Sequence, residues 1–256
     1  MNEMRRLLID QNRLRNEIGL DRLLVLNFEE YHYLHRVMRM RVRDLITIID
    51  GKGNLWHANI EEKKKIRLTT SFDNPLQKQL RVKPLICLAV SIPKKGFDDI
   101  LQMSCEMGVD VIQPLISQRS VIKGNNNEKI IRWKKIIREA VEQSERLWSP
   151  DLRPITKMKN WLNEFTDGKN IAFATTRIEG LKDCVGWLNE LPSNVDQVWF
   201  IIGPEGGWHE EEESLAIDSG FEAVHMGETI LRTSTAAVAA CQLMISWRRT
   251  RSLMGK

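Results

Sequence analysis

At 256 residues, 42% apolar and with a formal net charge of only +4, the chain is long enough for two modest domains with packed cores. No apolar run approaches the ~20 residues that a membrane span needs, and the opening "MNEMRRLLIDQNRLRNEIGL" is charged throughout, so no secretory leader is expected. The charge is unevenly placed: residues 1–80 hold 15 basic against 11 acidic side chains, 81–170 hold 16 against 11, and 171–256 hold 7 against 12. A basic first two-thirds points to a polyanionic partner.

Short strands and one helix are predicted before residue 80. "RLLVLN" (22–27) is a strand, "LITIIDGKGNLWHANI" (45–60) a hairpin turning at its glycines, and "KIRLTTSF" (65–72) a third strand. Between the first two, "EEYHYLHRVMRM" (29–40) spaces apolar residues as a helix does. These predict a small β-rich domain of the kind that can close as a barrel, with "SFDNPLQKQLRVKP" (71–84) as a linker.

From Pro84 strands and helices alternate. Strands are predicted at 85–91, 109–116, 170–176, 197–202 and 222–226, and helices at 95–107, 128–147, 179–190, 209–219 and 233–247. Such repeated βα units imply a mostly parallel sheet covered on both faces, with ligands bound beyond the carboxyl ends of its strands. Cys87, Cys105, Cys184 and Cys241 lack C-x-x-C spacing and sit in apolar segments, which predicts buried free thiols and no zinc site. His32 and His35 share a helical face, but without Cys or acidic ligands nearby no metal is expected.

The chemistry concentrates in two glycine turns. In "VWFIIGPEGGWHEEEESLAIDSGF" (198–221) a strand meets Gly203, Gly206 and Gly207, and then a helix headed by Glu210 to Glu213. A phosphate at that helix start is disfavoured, because no Lys follows the glycines and the four carboxylates already complement the dipole. A neutral or cationic ligand suits the loop better. Taken alone, a tight capped connection explains it as well. The second turn, "HMGETILRTSTAAVAA" (225–240), again runs strand, glycine, helix, with Thr233 or Ser234 able to cap. The alanines that follow permit close helix packing. They leave Arg232 unexplained, since a helix N-terminus is the wrong end for a structural cation.

"IIGPEGG" (201–207) together with "MGETILRTSTA" (226–236) closely resembles the ribosomal RNA small-subunit methyltransferase E family, SPOUT enzymes that methylate N3 of a uridine in 16S ribosomal RNA. "HRVMRMRVRD" (35–44) with "DGKGNLWHANI" (50–60), "KKGFDDILQMSCEMGVDVIQPLISQRSVIK" (94–123) and "EAVEQSERLWSPDLRPI" (139–155) extend the resemblance over most of the chain. It implies a PUA-like β-barrel RNA-binding domain over 1–74 and an α/β SPOUT domain with a trefoil knot over 75–256. It also implies S-adenosylmethionine as cofactor, a homodimer, and the small ribosomal subunit as partner in the cytoplasm.

Carried over residue by residue, the cofactor would be held by Ala174, Thr175 and Thr176, by Ile202, Gly203, Pro204, Glu205, Gly206 and Gly207, and by Met226, Gly227, Ile230, Leu231, Arg232, Thr233 and Thr235. Arg232 is the candidate to stabilise a deprotonated uracil, with Arg146 or Arg119 as alternatives. No His is well placed to act as base, which leaves the proton to water. Arg36, Arg39, Arg41, Lys94, Lys95, Arg119 and Lys123 are the expected RNA contacts. Two positions depart from the family pattern. Glu145 stands where Gly commonly precedes the arginine, and Ser234 where an acid is common. Competing readings are a SPOUT enzyme acting on another RNA position, a non-catalytic assembly factor, and an unrelated nucleotide-binding α/β domain.

Overall fold

The computed structural model describes residues 5–120, 127–165, 168–176, 178 and 180–254. They divide into two compact units, Met1–Arg81 with Arg138–Ser149, and Val82–Ile137 with Pro150–Lys256.

The first unit opens with β1 (Arg6–Leu8), α1 (Gln11–Glu17), β2 (Leu23–Val25) and α2 (Phe28–His32), continued by one π-helical turn at Tyr33–Val37. β3 (Leu45–Ile49), β4 (Asn54–Glu61), β5 (Lys65–Leu68) and β6 (Gln77–Lys78) follow. The strands order as β1-β3-β4-β5-β2, with β6 on β4. β1 runs parallel to β3, and the remaining pairs are antiparallel. In β4 and β5 alternate residues are buried, so Trp56, Ala58, Ile60, Ile66 and Leu68 join Leu7, Leu24 and Leu34 in one core. Asn27 caps α2 in a capping box with Glu30. The predicted single helix over 29–40 is therefore a short α-helix plus a wider π turn, in which Met38 N–H donates to the Tyr33 carbonyl at 2.9 Å.

Residues 138–149 return to this unit. The Leu8 N–H donates to Glu142 Oε1 at 2.8 Å, and Arg6 donates to both the carbonyl (2.7 Å) and the carboxylate (2.8 Å) of Glu145. Glu145 has φ 60°. That left-handed conformation is one a glycine adopts without steric cost. The Arg6 fork holds the glutamate in it.

The second unit comprises β7 (Leu85–Ser91), α3 (Phe97–Met107), β8 (Val111–Ile116), α4 (Asn127–Gln143, whose last turns belong to the first unit), β9 (Asp151–Leu152), β10 (Thr156–Lys157) and α5 (Met158–Leu162). It continues with β11 (Ile171–Ala174), β12 (Lys182–Asp183), α6 (Cys184–Glu190), β13 (Gln197–Ile202), α7 (Glu210–Asp218), β14 (Glu222–His225) and α8 (Thr233–Met254). Its sheet runs β10-β8-β7-β13-β11-β14-β12, with β9 also on β8, and every pair is parallel. A parallel sheet buried on both faces explains the near-continuous apolar runs of β7 and β13.

α8 is longer than the predicted 233–247 because its basic end is held. Arg248 donates to the Pro84 carbonyl at 3.1 Å and pairs with the buried Asp110 carboxylate. Arg251 donates to the Pro192 carbonyl at 2.8 Å. Its small residues, Ala237, Ala240 and Cys241, are fully buried, and the Cys241 thiol donates to Ser104 Oγ on α3 at 3.5 Å. All four cysteines are free and buried, and burial pushes the Cys184 and Cys241 thiols up to about 12. Among the described residues no helix is long and apolar enough to cross a membrane.

Candidate functional site

β13, β11 and β14 are consecutive neighbours in the parallel sheet, so their carboxyl ends, Ile202, Ala174 and His225, open on one edge. The loops leaving them enclose a cleft of about 310 Å³. Ala174, Thr175 and Thr176 form one wall, Ile202, Gly203, Pro204, Glu205 and Gly207 a second, and Met226, Gly227, Ile230, Leu231 and Thr233 a third. Of the residues expected at a cofactor, Gly206, Arg232 and Thr235 do not line it.

The Gly-Pro-Glu-Gly-Gly loop is pinned from several sides. Trp208 is 2% exposed and its indole N–H donates to the Ala174 carbonyl at 2.9 Å, tying the loop to β11. Its ring lies so close beneath Gly203 that a Cβ there would sit 2.9 Å from Trp208 Cε2. Gly207 has φ 70° and closes the turn by donating to the Pro204 carbonyl at 2.9 Å. Gly206 meets no such limit; a Cβ would lie 3.6 Å from Arg119 Cβ. Arg119 Nη1 donates to the Gly206 carbonyl at 3.0 Å, and Glu205 Oε1 accepts the Lys94 N–H at 3.3 Å. Arg119 thus sits against the loop itself, a placement its basic character alone did not suggest.

The four glutamates separate into different roles. His209 is the N-cap of α7 and forms a capping box with Glu212. Glu212 is buried and also accepts the Gln118 N–H at 2.9 Å. Glu211 accepts from the Gln118 side chain at 3.0 Å, and Glu210 is exposed. Glu213 instead lines the cleft, where it accepts a 2.5 Å hydrogen bond from the Thr175 hydroxyl. Helical spacing could have signalled this, since Glu213 lies one turn beyond His209 on the same strip of α7.

At the third wall, Thr233 does not cap α8. Its hydroxyl donates to the Gly203 carbonyl at 3.0 Å, joining two loops, while the Arg232 carbonyl accepts the Ala236 N–H at 2.9 Å. The Arg232 side chain is exposed beside this helix start. His225, expected at the end of a buried strand, is half-buried and lines the cleft, its Nδ1 accepting the Gly227 N–H at 3.2 Å. Trp208 is a buried wedge beneath the loop and also contributes to the cleft lining. Among the described residues, no Lys or Arg lines the cleft, whereas Glu205, Glu213 and Glu228 do.

The other expected residues are distributed over both units. Arg146 is half-buried in the first unit, on the turn after α4. Arg36, Arg39 and Arg41 are exposed in the first unit, and Lys94 and Lys95 are exposed in the second. Lys123 lies outside the described residues. No group of His, Cys, Asp and Glu that could hold a metal occurs among the described residues.

A parallel sheet with a loop-built cleft at its carboxyl edge thus follows a small β-rich unit, and comparison with known proteins gives this two-part chain its class, an RNA methyltransferase. A family described as RNA methyltransferase domain matches residues 81–245, and one described as RNA methyltransferase PUA domain matches residues 26–72. The ribosomal RNA small subunit methyltransferase E of Synechocystis is 32% identical over 228 residues, covering 86% of this chain and 72% of that protein. That of Buchnera aphidicola from Acyrthosiphon pisum is 30% identical over 233 residues, covering 89% of each. Among solved structures, the Neisseria gonorrhoeae enzyme of that name bound to S-adenosyl methionine superimposes with a TM-score of 0.78 at 29% identity, covering 95% of this chain and 98% of that one. A putative methyltransferase from Legionella pneumophila in complex with the same cofactor gives 0.81 at 28% identity with the same coverage. The chain belongs to the ribosomal RNA small subunit methyltransferase E family.

Proposed function

We propose that this protein transfers the methyl group of S-adenosylmethionine to N3 of a uridine in 16S ribosomal RNA. The observation that carries the proposal is the three-walled cleft, built from the loops whose residues gave the family resemblance.

The cleft fits that cofactor. Its volume is at the lower end of small-molecule sites, about 300–1,000 Å³. Ile202, Leu231 and Ala236 give it apolar walls, and its only described charges are carboxylates, which suits a cation. When bound, S-adenosylmethionine supplies a methyl group on a positively charged sulfur. Gly203, Pro204, Glu205 and Gly207 would hold it from one side, with Thr175 and Thr176 and with Met226 to Thr233 from the others. Gly206 would contribute through the backbone of its loop and Thr235 through the first turn of α8.

The remaining requirement is a uridine N3 freed of its proton and aligned with the methyl group. Alignment alone can supply ~7–11 kcal/mol. Arg232, exposed in the chain between the cleft-lining Leu231 and Thr233, would stabilise the negative charge that deprotonation places on the uracil oxygens. Ser234 occupies the place of a family acid, so water is the proposed proton acceptor, and Arg146 is the alternative cation. A base in paired RNA would have to leave its stack first.

The remaining assignments belong to the same proposal. Residues 1–74 would be the PUA-like RNA-binding domain and 75–256 the SPOUT domain, with its last loops threaded as a trefoil knot. The enzyme would act as a homodimer in the cytoplasm on the small ribosomal subunit. Arg36, Arg39, Arg41, Lys94, Lys95 and Lys123 would contact phosphates, giving strongly salt-dependent binding. Arg119 would contribute as much to the cofactor loop as to RNA.

Primer extension on 16S rRNA tests the reaction, because an N3-methyl uridine cannot pair and stops the polymerase. Deleting the gene should remove one stop, and the purified protein with S-adenosylmethionine should restore it on deficient subunits. A stop that persists undiminished in the deletion sinks the reading. With the same assay, Arg232→Ala should lower turnover at least tenfold while cofactor affinity holds. Unchanged turnover in Arg232→Ala, with loss in Arg146→Ala, would exchange the two roles.

A further inference from the structure

The first unit carries an aromatic feature that neither its core nor the cofactor cleft uses. Phe28 begins α2 yet is 73% exposed. Its ring stacks on the exposed His32 with centroids 6.1 Å apart and planes 25° apart. Nearly one turn on, the Tyr31 ring meets His35 at 4.3 Å and lies beneath Lys64 Nζ at 5.2 Å. The π-helical turn that follows α2 carries the exposed Arg36, and Arg39 is exposed just beyond it.

A lone exposed phenyl ring is ordinary on a protein surface; what distinguishes Phe28 is the ring stacked on it and the charge nearby. Two features select among possible covers. The Phe28 and His32 rings already stack with their planes 25° apart, an arrangement to which a further flat ring can add. The surrounding charge is mainly basic, with Arg36, Arg39, Lys63 and Lys64 exposed against Glu29 and Glu62. An unpaired nucleotide combines a flat π face with a phosphate, whereas an apolar protein surface would leave these cations without counter-charge. Sequence-specific RNA recognition uses Phe, Tyr, His and Arg in this way on unstacked bases.

We propose that the Phe28–His32 stack, with Arg36 and Arg39 on the following turn, is a stacking platform for unpaired bases of the RNA substrate. The proposal rests on the reading of this protein as an RNA-modifying enzyme. It assigns to Phe28 and His32 a binding role distinct from methyl transfer. His32 then belongs to a base-binding surface, which accounts for its shared helical face without a metal.

The test uses the full-length protein and a fluorescent single-stranded uridine dodecamer, with affinity read by anisotropy at fixed salt. Phe28→Ala should weaken binding by roughly 5- to 100-fold, the range seen when a stacking ring is removed. Phe28→Trp should bind as the wild type does, since any aromatic ring stacks. Arg36→Ala should reduce the slope of log affinity against log salt by about 0.7, one phosphate contact on a single strand. Equal affinity of wild type and Phe28→Ala overturns the platform. Equal weakening in Phe28→Ala and Phe28→Trp also overturns it, because damage to α2 rather than lost stacking would then be responsible. A loss of self-association in Phe28→Ala with unchanged oligonucleotide affinity would make this face a contact between copies of the chain, and overturns it too. The primer-extension assay stands apart: a protein that binds the dodecamer through Phe28 but leaves the uridine unmethylated keeps the platform and sinks the assigned reaction.

Discussion

The three glycines of the Gly-Pro-Glu-Gly-Gly loop look equivalent in sequence and are not. Gly203 is required by contact, since an added Cβ would press on the Trp208 ring at 2.9 Å. Gly207 is required by its φ of 70°. Gly206 is required by neither. Gly203→Ala should therefore cost about 1–3 kcal/mol as an overpacked site, and Gly207→Ala about 1–2 kcal/mol as a left-handed alanine. Both should weaken S-adenosylmethionine binding in calorimetric titration, while Gly206→Ala should bind normally. A Gly206→Ala defect as large as that of Gly203→Ala would refute this account of the loop. The sequence places Trp208 directly after the glycines but does not show that its ring packs beneath Gly203. The same holds for Thr233: a threonine at a helix start signals a cap, whereas here its hydroxyl serves the carbonyl of another loop. Glu145 is the reverse case. It looked like a departure from a glycine pattern, and the φ of 60° explains why glycine suits the position.

Elements with strong periodicity or long apolar runs were legible. β7 and β13 occupy the predicted 85–91 and 197–202, and α7 lies within the predicted 209–219. The elements that escaped are short and held by partners distant in sequence. β1 has three residues and exists through β3 and Glu142. β9 and β10 have two residues each and continue one line along β8. α8 outran its prediction because Arg248 and Arg251 find fixed acceptors, and an arginine-rich stretch otherwise signals solvent. Replacing Arg248 by Met leaves the nearly buried Asp110 without this cation. Removing one partner of such a pair costs about 3–5 kcal/mol, so the melting temperature should fall by several degrees; a shift under one degree would show that the pair carries little. Glu142, on α4, behaves differently. Burial raises its pKa above the ordinary glutamate value, outweighing the Leu8 N–H and Arg138 that lower it. Its charged form is therefore disfavoured by folding. The contribution of Glu142 to stability should be fully present below the ordinary glutamate value and be lost as pH rises through the raised value. Glu142→Gln should flatten this part of the melting-temperature profile, and a parallel profile in the variant would contradict the assignment.

At the scale of the molecule, the change from a β-rich first part to a parallel α/β second part was readable from rhythm, whereas charge changes sign only near residue 170, inside the second part. The place of residues 138–149 was not, since a single helical pattern gives no sign that its last turns pack with strands far earlier in the chain. The cleft draws on three loops separated by long stretches of sequence, so its occupant should stabilise the whole second unit. Ligand at 100 times its dissociation constant adds about 2.7 kcal/mol. S-adenosylmethionine should accordingly raise the melting temperature, and Gly203→Ala should reduce that rise. No rise at saturating cofactor would separate the cleft from cofactor binding.

The discontinuity of the first unit also bears on how the protein is made. A ribosome delivers residues in order at ~5–20 per second, so about 3–14 seconds separate the emergence of residue 81 from that of residue 149. Through that interval Leu8 and Arg6, on the edge strand β1, have neither Glu142 nor Glu145 to bond. The first strand is laid down early and secured late. A fragment ending at residue 81 would carry that open edge permanently, with its unpaired backbone available to other chains.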